Sequence, residues 1–226
     1  ELTVPEVEQT ERHGVYIVGY TDGTFGPSRS MTRAEAAAIF ARLLAEKNSD
    51  TITTATNTKF TDIPAHAWYS GYVKYLANNG ITYGKSKTIF APNDAITRAE
   101  FTTMAVRFFD VYGDGDAEIM EQFSGFNDVS SGYWAAEYIK YAALHGWING
   151  YGDGSFHAER EINRAEVVTI VNRLLGREAD EDYIADNLRK LNTFPDVTKR
   201  HWAYYAVMEA ANAHTAVLGE NESWSK

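Results

Sequence analysis

The sequence predicts an all-α, mainly helical single domain built from three tandem helix-turn-helix repeats. Three short motifs carry this prediction, because each recurs in the same order with a period of 65 to 68 residues. Between the motifs, apolar residues follow the i, i+3, i+4 spacing of helices with one buried face. One helix pair cannot bury both of its faces, so the repeats are expected to pack on one another.

The first motif, Thr-Arg-Ala-Glu, opens an amphipathic helix. It occurs at 32–35 and 97–100, and at 163–166 Asn replaces Thr. A polar N-cap residue followed three positions later by Glu forms a capping box. The predicted cap pairs are Thr32 with Glu35, Thr97 with Glu100, and Asn163 with Glu166. The buried stripes that follow comprise Ala36, Ile39, Phe40, Leu43 and Leu44, then Met104, Ala105, Phe108 and Phe109, then Val167, Ile170, Val171, Leu174 and Leu175.

The second motif is Phe-x-Asp with a tryptophan six residues after the Asp. Its copies begin at Phe60, Phe126 and Phe194, and the tryptophans are Trp68, Trp134 and Trp202. A second helical pattern follows each tryptophan, and Gly80 and Gly146 are expected to end the first two of these helices. The carboxylates are expected to cap or brace the helix that follows. They are Asp62, Asp128 and Asp196.

The third motif is a glycine-rich turn that connects the two helices of a repeat. It reads Gly-Tyr-x-Asp-Gly from Gly19 and again from Gly150, whereas the middle copy has Lys87 and Thr88 in place of Asp-Gly. Glycine allows the positive φ angles of such turns. Asp22 and its third-copy equivalent Asp153 are expected to hydrogen-bond their own backbone.

The chain length corresponds to about 3.4 periods, which predicts one closed domain over residues 1–226. Residues 14–46 form the second half of repeat one, and 60–110 and 126–176 form repeats two and three. Residues 194–215 form the first half of a repeat, and their helix is expected to complete repeat one beside the N-terminal half. The remaining assignments are a surface linker at 46–59, a short helix at 110–125, a capping helix at 177–193, and mobile termini at 1–12 and 217–226.

Composition excludes several functional classes. The net charge of -10 argues against a general nucleic-acid binder and a polybasic membrane patch. Cysteine is absent, which excludes disulfides and cysteine-based catalysis. No apolar run reaches about 18 residues, and no signal peptide is evident, so any secretion signal is expected to have been removed or to lie outside this sequence. The six histidines form no His-x-x-x-His pair, so neither a metal site nor a cofactor is expected.

These motifs resemble the S-layer homology repeat over about residues 14–215. The resemblance implies an extracellular module that anchors attached cargo non-covalently to the bacterial cell wall or S-layer. Its implied ligand is a secondary cell-wall polysaccharide with an acidic sugar, commonly pyruvylated N-acetylmannosamine. It also implies a pseudo-three-fold arrangement of the repeats with grooves between neighbours, in which the motif arginines Arg33, Arg98 and Arg164 contact the acidic sugar. The drift of the middle turn argues against groove contacts from that turn.

The residues alone leave the roles of the arginines and tryptophans open. An arginine at the first helical position is mildly disfavoured by the helix dipole, which suggests a partner outside the helix. That partner is either a carboxylate of a neighbouring repeat or a bound ligand, and the resemblance favours the ligand. Free amides at the helix N-terminus are expected to add to anion binding. The three tryptophans are favoured as wedges between repeats, and stacking on sugar rings is the alternative.

Two other functions compete with polysaccharide binding. A protein-protein module for surface-layer assembly would use the same fold without carbohydrate affinity. A wall-glycan hydrolase would need two carboxylates across the scissile bond. Caps and turns already explain the repeated carboxylates, so we expect no catalytic activity.

Overall fold

A computed structural model describes residues 9–54, 57–113, 123–217 and 222–225, and it is mainly helical as predicted. Within these residues there are seven α-helices: α1 (Arg33–Asn48), α2 (Ser70–Asn78), α3 (Arg98–Tyr112), α4 (Ala136–Leu144), α5 (Arg164–Leu175), α6 (Glu181–Asn187) and α7 (Tyr204–Ala211). A short 3-10 helix follows α6 at Leu188–Lys190. The predicted helix within 110–125 falls mostly outside the described residues.

Helices α1, α3 and α5 begin at the Thr-Arg-Ala-Glu motifs and share the central core. All three start with a capping box, in which the N-cap side chain accepts from the N3 amide and the N3 Glu accepts from the N-cap amide. Their apolar faces meet around Phe40, whose ring centroid lies 5.3 Å from that of Phe101 and 4.9 Å from that of Phe108. Phe109 and Leu175, at the edges of the predicted stripes, are only half-buried.

A ring of main-chain hydrogen bonds joins the starts of these three helices. The Met31 N–H donates to the Ile162 carbonyl, the Ile162 N–H to the Ile96 carbonyl, and the Ile96 N–H back to the Met31 carbonyl, at 2.9 to 3.0 Å. Each bond links a different pair of repeats. The pseudo-three-fold arrangement is therefore fixed by the backbone as well as by side-chain packing.

Helices α2, α4 and α7 pack on α1, α3 and α5 respectively, so each packed pair spans a linker. Val73, Ile139 and Val207 point into the core from equivalent positions on these helices. Gly80 and Gly146 follow α2 and α4 with φ angles of 74° and 69°, which only glycine adopts easily. The expected glycine stops are present.

The Phe-x-Asp carboxylates brace the turns before the motif helices, which corrects the expectation that they cap the helix that follows them. Each carboxylate accepts two successive main-chain N–H groups at 2.6 to 2.9 Å. Each Phe of the motif also contacts the Phe that ends the braced turn. The carboxylates and their donors are Asp62 with Phe90 and Ala91, Asp128 with Phe156 and His157, and Asp196 with Phe25 and Gly26.

The third of these braces joins the two ends of the chain. Asp196 lies 170 residues from Gly26. Its bonds nevertheless match those that Asp62 and Asp128 make to turns nearby in the sequence. The Tyr16 N–H also donates to the Ala210 carbonyl of α7 at 3.3 Å. At the equivalent helix ends, the Ile81 N–H donates to Leu76 and the Trp147 N–H to Ala142. The C-terminal segment thus completes the N-terminal half-repeat through the contacts of Asp196 and Ala210 with the first turn. Helix α7 itself packs on α5.

A three-stranded antiparallel sheet was missed by the sequence analysis. Its strands are β1 (Thr10–His13), β2 (His214–Val217) and β3 (Ser223–Ser225), in the order β1-β2-β3. The described parts of the termini are therefore ordered strands, and the expectation of mobile termini is wrong for them. The sheet arises from pairing between distant segments, which periodicity within one segment cannot show.

Trp224 of β3 is buried against α6, whose Ile184 also faces the core. Helix α6 therefore covers the domain as predicted for a capping helix, although it occupies only Glu181–Asn187 of the predicted 177–193. Leu188, directly after it, is exposed. Among the described helices, none is long and apolar enough to cross a membrane.

Candidate functional site

Three equivalent grooves lie between the repeats. Each combines one face of a motif helix, the turn before it, a motif arginine from another repeat and a tryptophan. Groove 1 includes Glu35, Arg42, Tyr20, Trp68 and Arg164. Groove 2 includes Glu100, Arg107, Lys85, Trp134 and Arg33. Groove 3 includes Glu166, Arg173, Tyr151, Trp202 and Arg98. The fold therefore brings the predicted arginines, cap glutamates and tryptophans together three times.

The motif arginines link one repeat to the next. Their side chains are almost fully buried, and each Nε donates to the carbonyl of the Phe that ends a braced turn, at 2.7 to 2.9 Å. Each guanidinium also faces a cap glutamate of another repeat. The distances are 3.1 Å for Arg33–Glu100, 3.2 Å for Arg98–Glu166 and 4.0 Å for Arg164–Glu35. The structural ion pair that sequence reasoning left open is thus present in all three repeats.

Arg33 makes fewer main-chain contacts than its two equivalents. The Nη2 of Arg98 donates to the Asn149 carbonyl at 3.2 Å, and that of Arg164 donates to the Val18 carbonyl at 2.6 Å. Within the described residues Arg33 has no matching bond to the equivalent carbonyl, that of Tyr83. The motif guanidinium of groove 2 therefore makes fewer hydrogen bonds to the protein backbone than those of the other two grooves.

The helix N-terminal amides are not available to an anion, contrary to the sequence expectation. In α1, the Arg33 and Ala34 N–H groups donate to the carbonyls of Asp94 and Pro92, both at 3.0 Å, and the Glu35 N–H donates to its cap. Helices α3 and α5 repeat this pattern with carbonyls of the next turn. Side chains must therefore supply any anion contacts in the grooves.

The three tryptophans are exposed, which overturns the favoured expectation that they wedge between repeats as core. Trp68 and Trp134 are each 56% exposed, and Trp202 is 65% exposed. Each lies at the edge of a different groove. An exposed indole costs solvation without contributing to the core, and its flat face is suited to contact a sugar ring or another apolar surface.

A second set of arginines was missed by the sequence analysis. Arg42, Arg107 and Arg173 each lie nine residues after a motif arginine, and each lines a groove. Arg42 and Arg173 are exposed and Arg107 is half-buried, with its guanidinium donating to the Tyr138 hydroxyl at 3.0 Å. Their spacing of 65 and 66 residues is the signal that identifies them, because it repeats the motif period on the outer helical face.

The grooves differ in size and charge. Their volumes are 280 Å³ for groove 1, 380 Å³ for groove 2 and 210 Å³ for groove 3. Groove 2 is lined by three cationic side chains and two carboxylates. Each of the other two grooves is lined by two cationic side chains and one carboxylate. Each groove thus has one excess positive charge in a chain whose net charge is -10. Local anion binding is compatible with this distribution.

The middle turn lines a groove despite its sequence drift. Thr82, Tyr83, Gly84 and Lys85 form one wall of groove 2, which is the largest of the three. Lys85 adds a cation where the other turns have tyrosine, and it pairs with Asp94 at 3.1 Å. The drifted residues Lys87 and Thr88 are not part of that wall.

Comparison with known protein families identifies a matching family. The S-layer homology domain family matches residues 4–37, 59–102 and 125–168, more than half of the chain. The three matched segments contain the three Thr-Arg-Ala-Glu motifs.

Three similar curated proteins cover most of this chain. Cell surface glycoprotein 1 of Acetivibrio thermocellus is 34% identical over 93% of the chain, which spans 9% of that protein. The cellulosome-anchoring protein of the same organism is 32% identical over 96% of the chain and 46% of that protein. The surface-layer 125 kDa protein of Lysinibacillus sphaericus is 31% identical over 70% of the chain and 13% of that protein. The chain thus spans less than half the length of each of these relatives.

Proposed function

Because this chain belongs to the S-layer homology family, we propose that it anchors an attached protein at the bacterial cell surface by binding an acidic wall polysaccharide. The names of its relatives, a surface glycoprotein, an anchoring protein and a surface-layer protein, support the anchoring role. Cell-wall binding requires no reaction, and we propose that the module is non-catalytic.

The observation that carries the proposal is the threefold recurrence of one groove with an exposed tryptophan beside two arginines. Guanidinium binds a planar carboxylate through two parallel hydrogen bonds, and a pyruvate ketal presents such a carboxylate. Indole provides the apolar surface on which a sugar ring stacks. A pyruvylated N-acetylmannosamine unit offers both features to one groove.

We propose that groove 2 is the main binding site. It has the largest volume, and only its size falls within the usual range of about 300–1,000 Å³ for small-molecule pockets. It also combines Arg33 and Arg107 with Lys85. The carboxylate would contact these cations while the ring lies against Trp134. Additional occupied grooves on one polymer would increase avidity.

The test is binding of the chain to purified secondary cell-wall polymer before and after chemical removal of pyruvate. We expect depyruvylation to abolish most of the binding, because the carboxylate is the group the arginines recognise. Undiminished binding to the depyruvylated polymer would show that the acidic sugar is not the ligand. Self-association without polymer binding would instead support the assembly module, and release of reducing sugar would support the hydrolase.

A further inference from the structure

A buried cluster of two histidines and two glutamates lies beside the small sheet, outside all three grooves. His13 is on β1, His214 begins β2, Glu209 is in α7 and Glu222 precedes β3. His13, Glu209 and His214 are 3%, 1% and 6% exposed, and the Glu222 side chain is 6% exposed. Burial of four ionisable groups is costly unless their charges are compensated. The cluster therefore needs a physical explanation.

Four nitrogen–oxygen distances within the cluster are nearly equal. The Nδ1 of His13 lies 3.3 Å from an oxygen of Glu209 and 3.3 Å from Oε1 of Glu222. The Nε2 of His214 lies 3.2 Å from the other Glu209 oxygen and 3.3 Å from Oε1 of Glu222. A tetrahedral zinc site with bonds of about 2.0–2.1 Å places neighbouring ligand atoms about 3.3 Å apart. Direct charge-assisted hydrogen bonds are usually shorter, about 2.7–2.9 Å.

Hydrogen bonding fixes the orientation of His214. Its Nδ1 lies 2.9 Å from the Asn212 carbonyl, which only accepts, so Nδ1 carries a hydrogen. In the neutral ring the lone pair of Nε2 then faces two carboxylates, so either a proton on Nε2 or a cation between the groups must compensate them. A histidine whose second nitrogen is held by a backbone carbonyl is the usual form of a metal ligand.

The central glutamate meets both histidines at ion-pair distance but not in hydrogen-bond geometry. Among the described residues, neither oxygen of Glu209 has a partner in hydrogen-bond geometry, and neither does Nδ1 of His13. One ligand atom from each of the four residues lies within 4.8 Å of the other three, around one shared space. A single cation there would compensate every one of them.

The surroundings hold Glu222 in place and balance a divalent charge. Its Oε2 accepts the Glu178 N–H at 3.0 Å, and its Oε1 accepts the Trp224 indole N–H at 3.0 Å. The Trp224 ring stacks on His214 with centroids 3.8 Å apart and shields that side. Arg177 and a divalent ion together would match the negative charges of Glu222, Glu209 and the nearby Glu11.

We propose that His13, Glu209, His214 and Glu222 bind one Zn²⁺ ion that joins the two ends of the chain. The two imidazole nitrogens favour zinc over calcium or magnesium, which prefer oxygen ligands. The sequence expectation of no metal site relied on local histidine spacing. It missed this set because His13 and His214 are 201 residues apart and only the fold brings them together.

The test is zinc titration of the whole chain after treatment with a chelator. We expect one Zn²⁺ per chain by elemental analysis after dialysis, a higher Tm with zinc, and little effect of equal Ca²⁺ or Mg²⁺. Co²⁺ in its place should give the intense visible absorption of tetrahedral coordination. His13→Gln and His214→Gln should each weaken zinc binding at least tenfold. His66→Gln, the same change at an exposed histidine, is the matched control and should bind as the unaltered chain does.

Several results would overturn the proposal. If the unaltered chain binds no zinc and zinc does not change its Tm, then protons alone compensate the charges of the cluster. Zinc binding that persists in His214→Gln, or that is lost equally in His66→Gln, would place the ion elsewhere. If the cluster variants fail to fold, the stoichiometry and Co²⁺ spectrum of the unaltered chain still decide.

Discussion

At the scale of single residues, the motif arginine has both a structural contact and a position in a groove. Its Nε and its ion pair join two repeats, while its guanidinium lines the site where an acidic sugar is proposed to bind. Sequence reasoning predicted a partner outside the helix because the dipole disfavours a cation at that position. It had no means to show that a carboxylate and a groove meet the same side chain, since both come from other repeats.

The structural contact predicts a stability defect in Arg33→Ala. The substitution leaves Glu100 and the Phe90 carbonyl without their partner, and breaking a buried ion pair costs about 3–5 kcal/mol. Urea denaturation should therefore show a large loss in the free energy of unfolding. Arg42→Ala, an exposed arginine on the same helix, is the control and should change it by less than about 0.5 kcal/mol. Equal stability of the two variants would contradict the structural role.

The second arginines provide a cleaner test of the ligand. We expect Arg107→Ala to weaken binding of pyruvylated polymer about tenfold or more, because a hydrogen bond to a charged group contributes about 1.5–3 kcal/mol. Isothermal titration calorimetry with a pyruvylated saccharide measures this directly. Arg42→Ala and Arg173→Ala are the matched variants in grooves 1 and 3. If either of them has the larger effect, groove 2 is not the main site.

The tryptophans show the limit of pattern reading at this scale. A large apolar residue kept at the same place in every repeat is usually core, and the spacing gave no sign of exposure. In the structure each indole is exposed at a groove edge. In contrast, Arg42, Arg107 and Arg173 were visible in the sequence period and required only a search outside the named motifs.

At the scale of elements, the turns before the motif helices determine how the repeats meet. A Cβ at Gly150 would lie 2.5 Å from the Phe126 ring and 2.7 Å from the Ser155 carbonyl oxygen. Gly19 and Gly84 are similarly crowded by Phe194 and Phe60. The first glycine of each turn is needed because an aromatic ring lies close to the backbone there. This reason differs from the positive φ angles that the sequence predicted for the turn glycines.

We predict that Gly150→Ala destabilises the domain by about 1–3 kcal/mol, the usual cost of overpacking. Thermal unfolding followed by circular dichroism is a suitable measurement. Gly152→Ala is the control two residues away, because a Cβ there meets nothing within 4 Å. The interpretation fails if both variants unfold at the same temperature as the unaltered chain.

The aspartate braces predict a dependence of stability on acid. Burial raises the pKa of Asp128, but main-chain N–H bonds from Phe156 and His157 outweigh it and hold the pKa below its usual 3.8. The ionised form is therefore stabilised in the folded state. This stabilisation is complete above the unfolded pKa and is lost as the pH falls through the folded pKa.

Asp128→Asn should consequently be less stable than the unaltered chain at pH 7 and should lose less additional stability below pH about 4. Urea unfolding at a series of pH values measures both effects. An unaltered acid dependence in Asp128→Asn would show that this carboxylate does not contribute. Asp22, Asp153 and Glu222, whose pKa values are also lowered, remain in both proteins and contribute to the residual acid dependence.

At the scale of the whole molecule, the repeat period predicted three units and the contact between the chain ends. It could do so because each unit carries the same local motifs. The half-unit at each end of the chain contains only some of these motifs, and the other half-unit contains the rest. The small sheet and the His–Glu cluster could not be predicted in this way. They depend on pairing between segments about 200 residues apart that none of the three repeated motifs marks.

The contact between the chain ends predicts that Asp196→Ala is as destabilising as Asp62→Ala. Each loses two hydrogen bonds to a carboxylate, although one brace joins distant segments and the other neighbouring ones. Hydrogen exchange should show lost protection at Phe25 and Gly26 in Asp196→Ala, and at Phe90 and Ala91 in Asp62→Ala. Full protection of Phe25 in Asp196→Ala would mean that the C-terminal segment does not complete the first repeat.

The hydrogen bond from Tyr16 to Ala210 replaces a bond that the other two repeats make within continuous chain. The core thus tolerates an interruption of the polypeptide at one of its three equivalent helix ends. A circular permutant, with β1 and β3 connected and new termini in the linker after α1, would preserve every contact of the ring. The order in which the chain visits the three positions is therefore separable from the architecture, and the chain termini can be relocated around the ring without redesigning the grooves.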